Sequence, residues 1–181
     1  MIGIDEAGRG AWAGPLVAAA VLLKRPLAGL ADSKRLTPLK REQLYARIHR
    51  AGRVGLGVVE PGELDRIGLA ASLARVMNEA LAQLSPLGET IIVDGPIDYI
   101  RSSNSSALIR ADDTVEAVMA ASIIAKVERD RMMMALDKQW PDYGFGRHKG
   151  YGTAAHREAI VSLGPCGLHR YSFRPLSELV A

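Results

Sequence analysis

The sequence is poor in three things, and each shortage excludes a class of protein. One cysteine, Cys166, stands in 181 residues, so no internal disulfide can form. A lone thiol among four scattered histidines also offers no zinc-ligand spacing. Aromatic residues make up 5%, too few for a single-strand binder built on rows of base-stacking rings. No apolar stretch reaches the roughly 18 to 20 residues that span a bilayer. Asp5 and Glu6 break the first apolar run before it can act as the h-region of a signal peptide. These shortages predict a cytoplasmic protein of a reducing compartment, with no membrane partner.

What is present suits a soluble globular protein. The 48% apolar content is ordinary for a folded domain, and with so few rings the core must be filled by alanine, valine, leucine and isoleucine. The length fits one domain with a small appendage. The net charge of +3 is unevenly spread: residues 1–60 hold 10 Lys/Arg against 5 Asp/Glu, residues 61–140 hold 8 against 12, and residues 141–181 hold 5 against 3. Basic flanks around an acidic middle suit a polyanion led to a metal-binding carboxylate cluster, although a mixed solvated surface would give the same totals.

Hydrophobic patterning predicts strands over Met1–Ala7 and Leu16–Leu23, the second apolar enough to be covered on both faces. Thr37-Pro38 reads as an N-cap with proline at the first helical position, so a helix should run from there to near Gly52. A strand follows from Arg53. Leu64, Ile67, Val76, Met77, Leu81 and Leu84 recur at helical spacing, ETIIVDG reads as a buried strand ending near Asp94, and SALIRA is a shorter strand candidate. A buried helix is expected from Asp112, with Asp113 and Glu116 as a capping box and with Ala120, Ala121 and Ser122 letting its axis approach a sheet. After a Gly-rich, aromatic and basic loop a last helix is predicted over Ala154–Leu163, with an irregular tail. The order is that of a mixed α/β fold, without strict βαβ alternation.

Four carboxylates fall where such folds expose their chemistry. Asp5 and Glu6 close the first strand, Asp94 closes another, and Asp112 precedes the buried helix. Asp94-Gly95-Pro96 is also a turn signature, and Asp112 also suits an N-cap. Asp5 has the weakest structural excuse, because a carboxylate ending an apolar strand is costly to bury unpaired. Brought together, the acids would repel one another unless hard divalent ions such as Mg²⁺ or Mn²⁺ sat among them. Two such ions, about 3.5 to 4 Å apart, can stabilise the attacking and leaving oxygens of a phosphoryl displacement. One obstacle is that neighbouring residues of a regular strand point to opposite faces, so Asp5 and Glu6 can share a metal only if the strand ends or bulges there.

GIDEAGRG also approximates a phosphate-binding P-loop. The match fails at the residues with chemical roles, since arginine replaces lysine, glycine replaces the hydroxyl and two acids sit inside. Gly8-Arg9-Gly10 can instead present backbone N–H groups at close range to a polar edge such as a ribose 2′-hydroxyl.

GIDEAGRG (3–10), AGP (13–15), DSKRL (32–36), VDG (93–95), AASIIAKVERDR (120–131), HKGYGT (148–153) and HRYSF (169–173) closely resemble, in order, the signatures of ribonuclease HII, the type 2 ribonuclease H family. The resemblance covers nearly the whole chain. It implies a ribonuclease H-like mixed sheet flanked by helices over residues 1–140, and a small helical C-terminal region over residues 141–181 beside the active site. It implies an endoribonuclease acting 5′ to ribonucleotides in RNA–DNA hybrids and at single ribonucleotides embedded in duplex DNA. Two-metal-ion catalysis with Mg²⁺ or Mn²⁺ should leave a 3′-hydroxyl and a 5′-phosphate.

Carried over residue by residue, Asp5, Glu6, Asp94 and Asp112 correspond to the catalytic, metal-binding acids. Gly8, Arg9 and Gly10 correspond to the stretch that recognises the ribonucleotide, Tyr151 to its partner on the next sugar, and Lys34 to a contact with the duplex backbone. Asp130 is read as an ion-paired helix residue, and His148 and Lys149 as fixing the HKGY loop. Ala11-Trp12 stands where the family commonly has proline after GRG. No partner-binding tail precedes Ala181, so a monomer independent of a sliding clamp is expected. Two rivals are a DNA-specific nuclease or resolvase of the same superfold, and a catalytically silent hybrid binder; the first has no use for a 2′-hydroxyl sensor, and the second gains nothing from acids beside phosphates.

Overall fold

Residues 2–108 contain the strands of a sheet in which small residues let helices lie close on both faces. A computed structural model describes residues 1–179; Val180 and Ala181, the end of the expected C-terminal region, lie outside the described residues. Five strands, β1 (Ile2–Ala7), β2 (Leu16–Leu23), β3 (Gly52–Val59), β4 (Ile91–Asp94) and β5 (Ser105–Leu108), order as β3-β2-β1-β4-β5. β1–β2 and β2–β3 are antiparallel, while β1–β4 and β4–β5 are parallel. The fold is therefore a mixed α/β sheet flanked by helices.

Period-two alternation divides the strands between two cores. Ile2, Ile4, Leu16, Ala18 and Ala20 pack with Leu73, Val76 and Met77 of α3 (Leu69–Ala82). Ala7, Ala19 and Val21 pack on the other face with Leu44 and Ile48 of α1 (Pro38–Ala51), and with Ala120, Ala121 and Ile124 of α5 (Glu116–Gln139). α5 and α3 approach through glycine. A Cβ on Gly3 would fall 2.2 Å from the Ala117 carbonyl carbon, and one on Gly57 would fall 2.0 Å from the Val76 oxygen.

Thr37 caps α1, its hydroxyl accepting from Lys40 N–H at 3.3 Å, with Pro38 in the first turn. The apolar periodicity from Leu64 to Leu84 divides into α2 (Pro61–Ile67) and α3, because Gly68 between them takes φ 81 and ψ 161, an orientation side-chain-bearing residues avoid. The capping box does not form. A single turn, α4 (Ala111–Thr114), precedes an extended Val115, and α5 has no side-chain cap. Asp113 is drawn instead to Arg110 Nη2 at 2.6 Å and Arg35 Nη2 at 3.2 Å.

Beyond α5 the chain forms a 3₁₀ turn over Pro141–Tyr143, α6 (Phe145–His148) and α7 (Ala154–Leu163). The tail expected to be irregular contains α8 (Arg174–Leu179). Tyr143, Phe145 and Cys166 pack with Met133 of α5 and Ala13 of the β1–β2 loop, so this region closes over the loop from behind. Among the described residues no helix is long and apolar enough to cross a membrane.

Candidate active site

The parallel register of β1 and β4 places two acids side by side. Ile4 is opposite Val93, both in the α3-facing core; the next residues, Asp5 and Asp94, fall on the α5-facing side. α4 then brings Asp112 in, its backbone N–H donating to Asp94 Oδ1 at 3.3 Å. Asp5, Asp94 and Asp112 each offer an oxygen within 4.8 Å of the others. β1 continues to Ala7, so the alternation is unbroken at Glu6. Its carboxylate lies outside that close group, 3.6 Å from Arg9 Nη1. Glu6 still lines the same cleft, of about 470 Å³, with Asp5, Asp94, Gly8, Arg9, Gly10, Lys34 and Tyr151.

The acids strain against one another. Burial pushes the Asp5 carboxyl well above its ordinary value, and the negative charges of Glu6, Asp94 and Asp112 add to that, against one backbone N–H bond from Glu6. Burial also raises Glu6, opposed by Arg9, and raises Asp112, with Asp94 adding and Lys34 opposing. The donor set is all carboxylate oxygen and short of positive charge, which fits hard divalent cations. Lys34 is the nearest compensation, its Nζ 3.4 Å from Asp112 Oδ2. Burial works against that ammonium, yet Asp32, Asp112 and Asp5 outweigh it and raise its pKa. Lys34 is held over the acids because Ser33 accepts a 2.7 Å hydrogen bond from Ser122 on α5, while Arg41 Nη1 donates to the Ser33 and Leu36 carbonyls.

The GRG segment forms a turn beside the acids, with Gly8 at φ 91. Trp12 and Ala13 donate their backbone N–H groups to Gly150 O at 2.8 and 3.2 Å, which ties this loop to HKGYGT. Trp12 packs against Gly152, where a Cβ would fall 2.3 Å from its ring. His148 Nε2 is 2.8 Å from the Tyr143 carbonyl, its Nδ1 accepts from Gly150 N–H, and Lys149 Nζ donates to Gly146 O. Both residues thus hold the HKGY loop. Asp130 pairs with Lys126 at 2.6 Å.

Residue-type reasoning missed several participants. Ser33, Ser122 and Lys126 line the cleft, and Lys126 Nζ lies 5.9 Å from the Tyr151 ring centroid. Arg129 and Arg170 are fully buried behind the GRG loop. Burial, then the charge of Arg129, lowers the Arg170 guanidinium to about 9, and burial lowers Arg129 as well. Their only sequence signal was membership of the ERDR and HRYSF strings.

With the geometry in place, similarity to known proteins narrows its meaning. A model of the ribonuclease HII family matches residues 2–175. The chain is 44% identical over 184 residues to a ribonuclease HII of Halorhodospira halophila, covering 99% of this chain and 94% of that protein. It is 48% identical over 179 residues to one of Geobacillus thermodenitrificans, covering 97% and 69%. Among solved structures, ribonuclease HII in its complex with PCNA from Archaeoglobus fulgidus matches with a TM-score of 0.84 and 30% identity, covering 99% of this chain and 96% of that one. Ribonuclease H2 of Pyrococcus horikoshii matches at 0.78 and 26%, covering 98% and 95%.

Proposed function

This chain belongs to the ribonuclease HII family and is a metal-dependent endoribonuclease, and from that premise we propose how it selects and cuts its substrate. It hydrolyses the phosphodiester on the 5′ side of ribonucleotides, in RNA–DNA hybrids and at single ribonucleotides embedded in duplex DNA, leaving a 3′-hydroxyl and a 5′-phosphate. The observation that supports this most is the meeting of Asp5, Asp94 and Asp112 within 4.8 Å, with Asp5 and Asp94 lining the cleft that Gly8, Arg9, Gly10 and Tyr151 also line.

Asp5, Asp94 and Asp112 would hold the two divalent ions, Mg²⁺ or Mn²⁺, with Glu6 joining them from the edge of the group. When bound, the ions supply positive charge against the scissile phosphate and acidify the attacking water. The chain's own residues do the selecting. Backbone N–H groups of the GRG turn read the 2′-hydroxyl, which is what tells RNA from DNA at one nucleotide. The half-exposed Tyr151 ring packs on the following sugar and favours one without that hydroxyl. Lys34 contacts a backbone phosphate. The division near residue 140 separates the catalytic part from a C-terminal region that backs the reading loop. The enzyme works as a cytoplasmic monomer, a setting with which the unpaired, buried Cys166 is compatible.

The test is incubation with duplex DNA carrying one ribonucleotide, in Mg²⁺, in Mn²⁺ and in chelator. A metal-dependent nick 5′ to the ribonucleotide, absent from the all-DNA duplex, is expected. Cleavage of all-DNA duplex at a similar rate would favour the DNA-nuclease reading and overturn this one.

A further inference from the structure

The loop after β1 is held through its carbonyls by two guanidiniums from distant parts of the chain. Arg170 Nη1 donates to Gly8 O at 2.6 Å and Arg9 O at 3.4 Å, while its Nε and Nη2 donate to Gly14 O at 3.0 and 2.8 Å. Arg129 donates from Nε to Pro15 O at 2.9 Å and from Nη2 to Ala13 O at 3.1 Å. Both side chains are 0% exposed, and neither forms an ion pair among the described residues. Burying two unpaired cations so close together is expensive. The fixed fork of donors on arginine recovers part of that cost only by holding several carbonyls at once.

The orientation of those carbonyls has a consequence for the cleft. In a trans peptide the C=O and the following N–H point in opposite directions, and no cis bond occurs among the described residues. Turning the Gly8 and Arg9 carbonyls to Arg170 therefore turns the N–H groups of Arg9 and Gly10 away from it, and both residues line the cleft with Asp5 and Tyr151. No acceptor among the described residues meets those two amides. Arg129 links the other component. Its Cζ lies 5.2 Å from the Tyr151 ring centroid, and a Cβ on Gly8 would fall 2.0 Å from its Nε, so one guanidinium touches both the turn and the ring. Its Nη1 is buried without a hydrogen-bond partner.

We propose that Arg170 and Arg129 are positioning residues that set sugar discrimination: Arg170 aims the Arg9 and Gly10 amides at the ribonucleotide 2′-hydroxyl, and Arg129 spaces the Gly8 turn from the Tyr151 ring. This rests on reading the loop as the ribonucleotide sensor. Neither guanidinium touches substrate. A lysine at either place keeps a charge but is a single point, unable to hold the Gly8 and Gly14 carbonyls, or the Ala13 and Pro15 carbonyls, in one plane.

The experiment compares binding of a single-ribonucleotide duplex and an all-DNA duplex of the same sequence, with Mg²⁺ present and in an Asp94→Asn background so that cleavage does not intervene. Asp94→Asn alone should prefer the ribonucleotide duplex. Adding Arg170→Lys should lower that preference about tenfold, the size expected for misplacing one or two net hydrogen bonds, with affinity for all-DNA duplex unchanged. Adding Arg129→Lys should lower the preference for a DNA sugar after the ribonucleotide, measured against a continuous hybrid. Absence of a ribonucleotide preference in Asp94→Asn itself would sink the sensor reading. A preference retained in full by folded Arg170→Lys would sink only the present inference. Should Arg170→Lys not fold, amide spectra of the Asp94→Asn protein decide the matter. Arg9 and Gly10 N–H resonances must shift with ribonucleotide duplex and not with all-DNA duplex, and equal shifts would overturn the proposal.

Discussion

Asp5 and Asp94 stand beside each other on parallel neighbouring strands, one step past the Ile4–Val93 pair. Without a cation this costs stability, since the Asp5 carboxyl is held well above its ordinary range by burial and then by its acidic neighbours. Asp5→Asn and Asp94→Asn should therefore each reduce cleavage by at least about 100-fold, the scale of losing preorganised charge at a reacting phosphate. In chelator, Asp5→Asn should be the more stable protein by about 1 kcal/mol, or roughly 2–4 °C for a domain of this size. Calorimetry in chelator together with nicking assays in Mg²⁺ checks both halves. A variant less stable than the parent in chelator would contradict the electrostatic account.

Lys34 reaches Asp112 from a turn fixed by Ser122 and Arg41. If its ammonium also meets a phosphate, Lys34→Met should weaken duplex binding most at low salt. The slope of log affinity against log salt should fall by about 0.9, the value for one phosphate contact on duplex DNA. Titrations between about 50 and 200 mM salt measure this. An unchanged slope would leave Lys34 only its contact with Asp112.

A buried histidine chain predicts acid sensitivity. His156 Nδ1–H donates to the Tyr151 carbonyl at 3.0 Å, its Nε2 accepts from His169 Nε2–H at 3.1 Å, and His169 Nδ1 accepts from Cys166 N–H at 2.9 Å. That pattern needs both rings neutral. Burial, and then His148 and His169, hold His156 down to about 4, from 6.5 when unfolded, against the Tyr151 carbonyl. Between those values the unfolded chain binds a proton that the folded chain refuses. The His156 contribution to stability, up to about 3 kcal/mol, is therefore lost as pH drops from about 6.5 to 4 and its loss levels off below. Urea unfolding across this window should show the loss, and His156→Gln should remove it. Because the raised Asp5, Glu6 and Asp112 carboxyls contribute with the opposite sign in both proteins, the difference decides, and a parent and a His156→Gln protein with the same pH dependence would refute the neutral chain.

Gly57 of β3 lies under α3 with no room for a methyl group. Gly57→Ala should cost about 2 kcal/mol through overpacking, because the 2.0 Å approach is to the Val76 backbone oxygen and not to a movable side chain. Turnover per folded molecule should be unchanged, since Gly57 does not line the cleft. A denaturant midpoint equal to the parent's would mean that α3 can shift.

Much of the fold was legible because local rules and tertiary needs agree. Thr37-Pro38 starts α1, an unbroken apolar run makes β2, and Asp94 closes β4. Where they disagree, tertiary pairing won. Asp113 had the spacing to cap α5 but meets Arg35, 78 positions away, and Arg110. The periodicity over residues 64–84 is helical on both sides of Gly68, and only the backbone turn there divides it.

By itself the sequence determined the chemistry available: three strand-linked or helix-linked aspartates, a glycine-flanked arginine and a tyrosine in the HKGY string, in an order that resembles one family. The tertiary structure alone decided three further matters. Strand pairing put Asp5 next to Asp94 and left the Glu6 carboxylate beside Arg9. Helix α4 brought in Asp112. Two arginines that composition would place at the surface were buried behind the GRG loop. These guanidiniums are buried where carbonyls 114 and 162 positions away converge on them, and no local pattern encodes such a convergence.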